Sequence, residues 1–232
     1  MMEQRLQTGL ATLGLPTEGL PSLLKYGELL IETNKVMNLT AITDPEEIAS
    51  LHFLDSAALL TLEDFRGKSV VDVGTGAGFP GLPLKILEPS IRLTLLDSLG
   101  KRVRFLETVC RELNLTDVSC VHGRAEEFAA DHRERFDMAT SRAVAALPVL
   151  CELCLPLVRL GGKFLAMKSV DSDEELQAAQ HAIETLGGQV TAVRDYEIPG
   201  TEVRHRLITV KKVKKTPEKY PRMFAKMKKN PL

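Results

Sequence analysis

The chain has 232 residues, 44% of them hydrophobic, enough to build a core and too apolar for a disordered segment. No apolar run approaches the ~18 residues of a membrane span, and the start, MMEQRLQTGL, carries an early acid and no apolar signal core, so a cytosolic protein is expected. The net charge of −1 divides unevenly: from Val203 onward eleven Lys/Arg face one acid, giving +10 against −11 for the first 202 residues, which suits a polyanionic partner.

In chain order, residues up to about 66 read as helical. Leu20, Leu23, Leu24, Gly27, Leu30 and Ile31 keep helical spacing. In TDPEEIASLHFLDSAALL, Asp44 caps, Pro45 takes the first helical position and Glu47 completes a capping box. Ile48, Leu51, Leu54 and Ala58 then form a buried stripe, and His52 and Asp55 share one face. From Lys68 the pattern changes to short apolar strands at 69–73, 91–97, 118–121, 136–140 and 163–167. Helices are expected near 81–88, 100–113, 124–130, 145–159 and 172–186. Such alternation means an α/β fold with a parallel sheet covered on both faces. After Gly187-Gly188, QVTAVRDYEI and RHRLITVKKV are strands too close for a helical crossover, so the sheet ends with an antiparallel C-terminal strand. Cys151 and Cys154 lie in an apolar helical stretch with no second pair at zinc-site spacing; they read as small core residues, and no metal site is expected.

The loop after the first strand, VVDVGTGAGFPG (70–81), concentrates the chemistry. Gly74, Gly76 and Gly78 bare the backbone where a ligand approaches the carboxyl end of a doubly wound sheet. GAGFPG matches a dinucleotide pattern. Counted from the strand end at Val73, however, the spacing is the DxGxGxG typical of S-adenosylmethionine enzymes, with Asp72 as its acid. Asp97 ends the second strand and can accept from both hydroxyls of a ribose, a feature common to both cofactor classes. After the third strand, Glu126 can accept an adenine amino group beside a backbone N–H that reads a ring nitrogen. Arg142, at the end of the fourth strand, faces either the cleft or a rim salt bridge.

The segments NKVMNLTAI, HFLDS, DVGTGAGFPGLPLKI, TLLDSLGKRVRFL, GRAEEF, TSRAVAAL and the ending KYPR…KNPL closely resemble the bacterial RsmG (GidB) family over nearly the whole chain. The resemblance implies a class I methyltransferase sheet (67–212), a helical N-terminal extension (1–66) and a basic tail (213–232). It implies S-adenosylmethionine-dependent methylation of N7 of a guanine, guanine 527, in 16S ribosomal RNA, free or in the small subunit; a monomer is expected. It also implies cofactor contacts at Gly74, Phe79, Asp97, Ser98, Ala125, Glu126 and Arg142.

Guanine N7 carries an in-plane lone pair and no proton, so no catalytic acid or base is expected. In agreement, the chain has no [DN]PP[YF] segment for aiming an exocyclic amine and no Pro-Cys nucleophile. For RNA, Phe79 and Tyr220 are expected to stack on a base, and Phe224 offers a further ring. Arg204, Arg206, Lys211 and Lys212 are expected to hold phosphates. His52 and Lys168 are candidate target contacts, with an inter-helix brace as the alternative for His52 and Asp55. The competing readings are a small-molecule methyltransferase, which would not need the basic ending, and a non-catalytic nucleotide-binding module, which would bind the cofactor yet leave RNA unmodified.

Overall fold

The computed structural model describes residues 1–232. Seven strands form one sheet in the order β3-β2-β1-β4-β5-β7-β6. They are β1 (Ser69–Val73), β2 (Arg92–Asp97), β3 (Val118–His122), β4 (Phe136–Arg142), β5 (Val158–Ser169), β6 (Gly188–Glu197) and β7 (Arg204–Lys212). The pairings from β3 through β5 are parallel, and β7 inserts antiparallel between β5 and β6. The strand order reverses at β1 and β4, so ligands are expected beyond the carboxyl ends of those two strands.

The N-terminal region contributes α1 (Met2–Thr12), α2 (Leu20–Met37), α3 (Pro45–Glu47) and α4 (Asp55–Leu62). Asp44 caps α3 as expected, accepting from the amides of Glu46 and Glu47 at 2.9 and 3.0 Å. Between α3 and α4, Ile48–Leu54 adopts π geometry. The regular stripe expected there is replaced by a turn buried almost all round: Ile48, Ala49, Ser50, His52, Phe53 and Leu54. Leu6, Leu10, Leu23, Leu30, Phe53 and Leu59 share one continuous core with Val70, Leu82, Leu95 and Leu106, so the N-terminal helices cover a sheet face rather than standing apart.

That face also carries α5 (Gly81–Leu87) and α6 (Gly100–Glu112); the other packs against α7 (Ala125–Asp131), α8 (Leu147–Cys154), α9 (Asp173–Ala178) and α10 (Gln180–Thr185). Pro156 follows the end of α8, and a 3₁₀ turn over Leu155–Leu157 replaces the end of the longer helix expected from the sequence. Cys151 and Cys154 are buried thiols, and burial pushes both above the usual thiol range. The last helix, α11 (Phe224–Lys229), docks on the second face, and Tyr220 and Met227 are buried in its core. No helix is long and apolar enough to cross a membrane.

Candidate active site

Two concavities lie at the carboxyl ends of the central strands. The first, a cleft of ≈ 190 Å³, is lined by Gly74 from the β1 loop, Asp97 and Ser98 at the end of β2, Ala125 and Glu126 at the start of α7, and Phe224 of α11, among others. The second, of ≈ 520 Å³, is lined by Leu51 and His52 of the π turn, Arg142 and Ala143 at the end of β4, Lys168 of β5 and His205 of β7, among others. Ala143 takes a left-handed φ of 56°, so the chain turns sharply at the end of β4. Val144 thereby lies against Gly74 in the first cleft while Arg142 stays in the second.

The glycine loop is shaped mostly from beneath. Asp72 is fully buried. One of its oxygens accepts from the Thr75 hydroxyl at 2.6 Å and the Gly81 amide at 2.9 Å, the other from the Thr140 hydroxyl at 3.1 Å. Burial raises its pKa despite these bonds. It therefore braces the loop and does not reach the cleft, a correction to its expected cofactor contact. The Tyr26 hydroxyl donates to the Ala77 carbonyl from below. The three glycines differ accordingly. A Cβ on Gly78 would sit 2.5 Å from Leu82 and 2.6 Å from the Tyr26 hydroxyl, so its bareness serves packing, not a ligand. Gly76 (φ +63°) faces open space, and Gly74 lines the cleft beneath Val144. Asp97 Oδ2 accepts the Gly76 amide at 2.9 Å and a longer contact from Arg102 Nη1 at 3.5 Å, while Oδ1 accepts only the Leu99 amide at 2.9 Å and keeps a further lone pair.

Glu126 Oε1 accepts from Arg124 Nε at 2.8 Å and from the Phe224 amide at 3.3 Å, while Oε2 has no protein partner. Ser98, Ala125 and Glu126 all line this first cleft.

Phe79 and Arg142 do not line the first cleft. Phe79 is buried between two rings: His52 at 4.5 Å and Tyr26 at 5.4 Å, both nearly parallel to it. It is thus enclosed and free to stack on neither cofactor nor base. Arg142 lies 5.2 Å over the same ring. Its Nη1 donates to the Leu51 carbonyl (2.9 Å) and Asp55 (2.8 Å), and its Nη2 to His52 Nδ1 (3.1 Å). With Nδ1 accepting, His52 Nε2 carries the proton toward the Thr40 hydroxyl at 2.8 Å. Burial first, and then the Arg142 charge, push the His52 pKa down to about 4.

Asp55 is the hub of this cluster. Besides Arg142 it accepts from the Tyr196 hydroxyl and His205 Nδ1, each at 2.8 Å. Burial works to raise its carboxyl, but His205, Arg142 and Tyr196 together hold it below the usual range. Tyr196 and His205 escaped the sequence reading because they lie 141 and 150 residues along the chain from Asp55, and Thr40, twelve residues from His52, carries no spacing signal of its own; only the brace anticipated for His52 and Asp55 pointed to the cluster.

Lys168 lines the second cavity, 2.7 Å from Glu175, and donates to the Ala145 carbonyl at 3.2 Å. Glu175 also accepts the Leu147 amide, so this ion pair fixes the 145–147 stretch beside the partition.

The expected phosphate contacts divide. Arg204 is exposed at the carboxyl-end edge. Arg206 is held by Asp195 and Asp173, with contacts of 2.6 Å to each. Because β7 is antiparallel, Lys211 and Lys212 lie at the opposite end of the sheet, Lys211 pairing with Lys163. Lys211 lies six positions along β7 from His205, about 20 Å away. Lys212 is fully buried, donating to the Leu155 carbonyl and the Thr216 hydroxyl, and burial pushes it down to about 8. Tyr220 is buried beneath Lys219 and Arg222. Neither Lys212 nor Tyr220 is available to RNA.

Among known proteins, residues 20–205 match the family model GidB, rRNA small subunit methyltransferase G. A Ribosomal RNA small subunit methyltransferase G from Ligilactobacillus salivarius is 49% identical over 226 residues, 95% of this chain and 94% of that one. A protein of the same description from Clostridium botulinum (strain Loch Maree / Type A3) is 48% identical over 212 residues, 90% of this chain and 89% of that one. The fold is similar to that of M. jannaschii TYW2 in complex with AdoMet, at a TM-score of 0.56 and 11% identity over 68% of this chain and 75% of that one. The sheet order, the cleft beneath the glycine loop and a match spanning four-fifths of the sequence agree: this chain belongs to the rRNA small subunit methyltransferase G family, GidB.

Proposed function

We propose that this chain transfers a methyl group from S-adenosylmethionine to N7 of a guanine in small-subunit ribosomal RNA, guanine 527 of the 16S molecule. The observation that carries the reading is the pair of concavities that share the Arg142–Val144 turn, Arg142 and Ala143 lining one and Val144 the other. One suits a nucleoside and the adjoining one suits a base. The first fits the cofactor by its donor set: Asp97 Oδ1 keeps a lone pair for a ribose hydroxyl and Glu126 Oε2 is an unused acceptor for an amino group, beside the bare backbone of Gly74. When bound, the cofactor supplies an electrophilic methyl on a sulfonium.

The residues of this chain bind and orient. Gly74, Asp97, Ser98, Ala125 and Glu126 hold the adenosyl side; Asp72 and Gly78 keep the loop in shape. Leu51, His52, Arg142, Lys168 and His205 receive the base. His52 is held neutral, and N7 attack releases no proton from the nitrogen, so the cavity needs no general base. Rate enhancement then comes from in-line positioning, worth roughly 7–11 kcal/mol in favourable systems. N7 lies in the deep major groove of an A-form helix, so the guanine must be turned out or held in an irregular loop to enter. Exposed cations such as Arg204, Lys226, Lys228 and Lys229 steer the RNA.

The test incubates the protein with labelled S-adenosylmethionine and undermodified small-subunit RNA or particles, followed by nucleoside mass analysis. Labelled 7-methylguanosine is expected. A different modified nucleoside, or none in any assembly state, refutes the reading.

A further inference from the structure

We propose that Phe224 is a wall of the adenosyl cleft, so that the C-terminal segment 213–232 belongs to the cofactor site and does not serve RNA alone. The inference rests on the functional reading above for the identity of the ligand.

The segment begins at the end of the sheet remote from the site, after Lys212. There Arg133 donates to the carbonyls of Thr216 (2.6 Å), Pro217 (3.0 Å) and Tyr220 (2.7 Å), and the Thr216 amide donates to Glu134 at 2.8 Å. Further along, Arg222 makes a forked pair with Glu152 of α8, Nε to Oε1 at 2.8 Å and Nη2 to Oε2 at 2.6 Å, and its own amide adds a bond of 2.8 Å to Oε1. Glu152 is buried, so the fork neutralises a charge that would otherwise be stranded in the core. Met227 is sunk in the same core. These anchors carry the chain along α7 and α8 toward the carboxyl ends of the strands.

Phe224 is delivered there half-buried. Its ring lines the cleft with Asp97, Ser98 and Ala125, and the Arg124 guanidinium lies 5.3 Å from its centroid. Its amide shares Glu126 Oε1 with Arg124. One residue therefore supplies apolar surface to the cleft and helps fix the carboxylate that reads the adenine amino group. A cleft of ≈ 190 Å³ partly closed by this ring gains contact area when a flat ligand fills it. By linkage, a ligand that binds better with the segment docked must also hold it docked. A strap that merely covered α7 and α8 would have neither property.

The test uses full-length protein and S-adenosylhomocysteine. Calorimetry is expected to show Phe224→Ala weakening binding by about tenfold and Phe224→Leu, which keeps apolar bulk, by about threefold. Hydrogen exchange on the unaltered protein is expected to slow at the amides of 222–230 when the ligand is added. Equal affinity in both variants, with exchange in that segment indifferent to ligand, overturns the proposal. Should Phe224→Ala unfold, Phe224→Leu and the exchange measurement still decide. Failure of the unaltered protein to bind S-adenosylhomocysteine overturns the functional reading as well; binding without any dependence on Phe224 overturns the wall alone.

Discussion

His52 offers a sharp thermodynamic test of the cluster joining the N-terminal helices to the sheet. Its ring is 9% exposed, stacked on Phe79, with Nδ1 accepting from Arg142 and Nε2 against Thr40. Protonation would set an imidazolium against a guanidinium with little water to screen them. The folded pKa is about 4, against 6.5 for a free side chain. Above 6.5 neither folded nor unfolded chain holds this proton, and the contribution to stability is whole. As pH falls from 6.5 toward 4, the unfolded chain takes up a proton that the folded chain refuses, and stability declines. At 1.36 kcal/mol per pH unit the loss at pH 4.5 is about 2.5 kcal/mol. Other groups titrate over the same range, so the comparison is with His52→Gln, which cannot titrate. Equilibrium urea denaturation at pH 7.5 and 4.5 is expected to show the parent chain losing about 2.5 kcal/mol more than the variant, whatever the variant's offset at pH 7.5. Equal losses, within about 0.5 kcal/mol, would mean that His52 titrates like an exposed histidine and that the Arg142 contact is not maintained in solution.

Asp55→Asn keeps the shape but leaves the Arg142 guanidinium without its buried counter-charge and turns one acceptor into a donor, facing either Arg142 or both Tyr196 and His205; a loss of about 3–5 kcal/mol is expected in the same denaturation assay. Gly78→Ala and Gly76→Ala should separate stability from binding. The first drives a Cβ into Leu82 and Tyr26 at φ +107° and is expected to cost about 3 kcal/mol of stability. The second meets open space, costs about 1–2 kcal/mol for its φ, and is expected to show its main effect as weaker S-adenosylhomocysteine binding in calorimetry. For RNA, replacing Lys226, Lys228 and Lys229 by Gln should reduce the slope of log affinity against log salt by about 2, whereas Lys212→Met should leave that slope unchanged and lower the melting temperature, because Lys212 is internal.

Much of this protein is legible along the chain because the relevant patterns are local. The apolar run at 69–73, glycines at once after it and an acid at each of the first two strand ends require only neighbours in sequence, and β1 spans Ser69–Val73 as expected. The close spacing of the last two strands likewise dictates their hairpin, seen as the antiparallel pairing of β6 with β7. Tertiary packing decided which side chains remain free. Phe79 reads as an available ring until Tyr26 and His52, 53 and 27 residues earlier in the chain, enclose it. Arg142 reads as a cofactor ligand until Asp55 claims it across 87 residues. Lys212 reads as a phosphate contact until the direction of β7 carries it to the wrong end of the sheet and into the interior. Composition can announce a basic tail, but burial and strand direction determine which of its charges face solvent, and those depend on long-range contacts that no local pattern records.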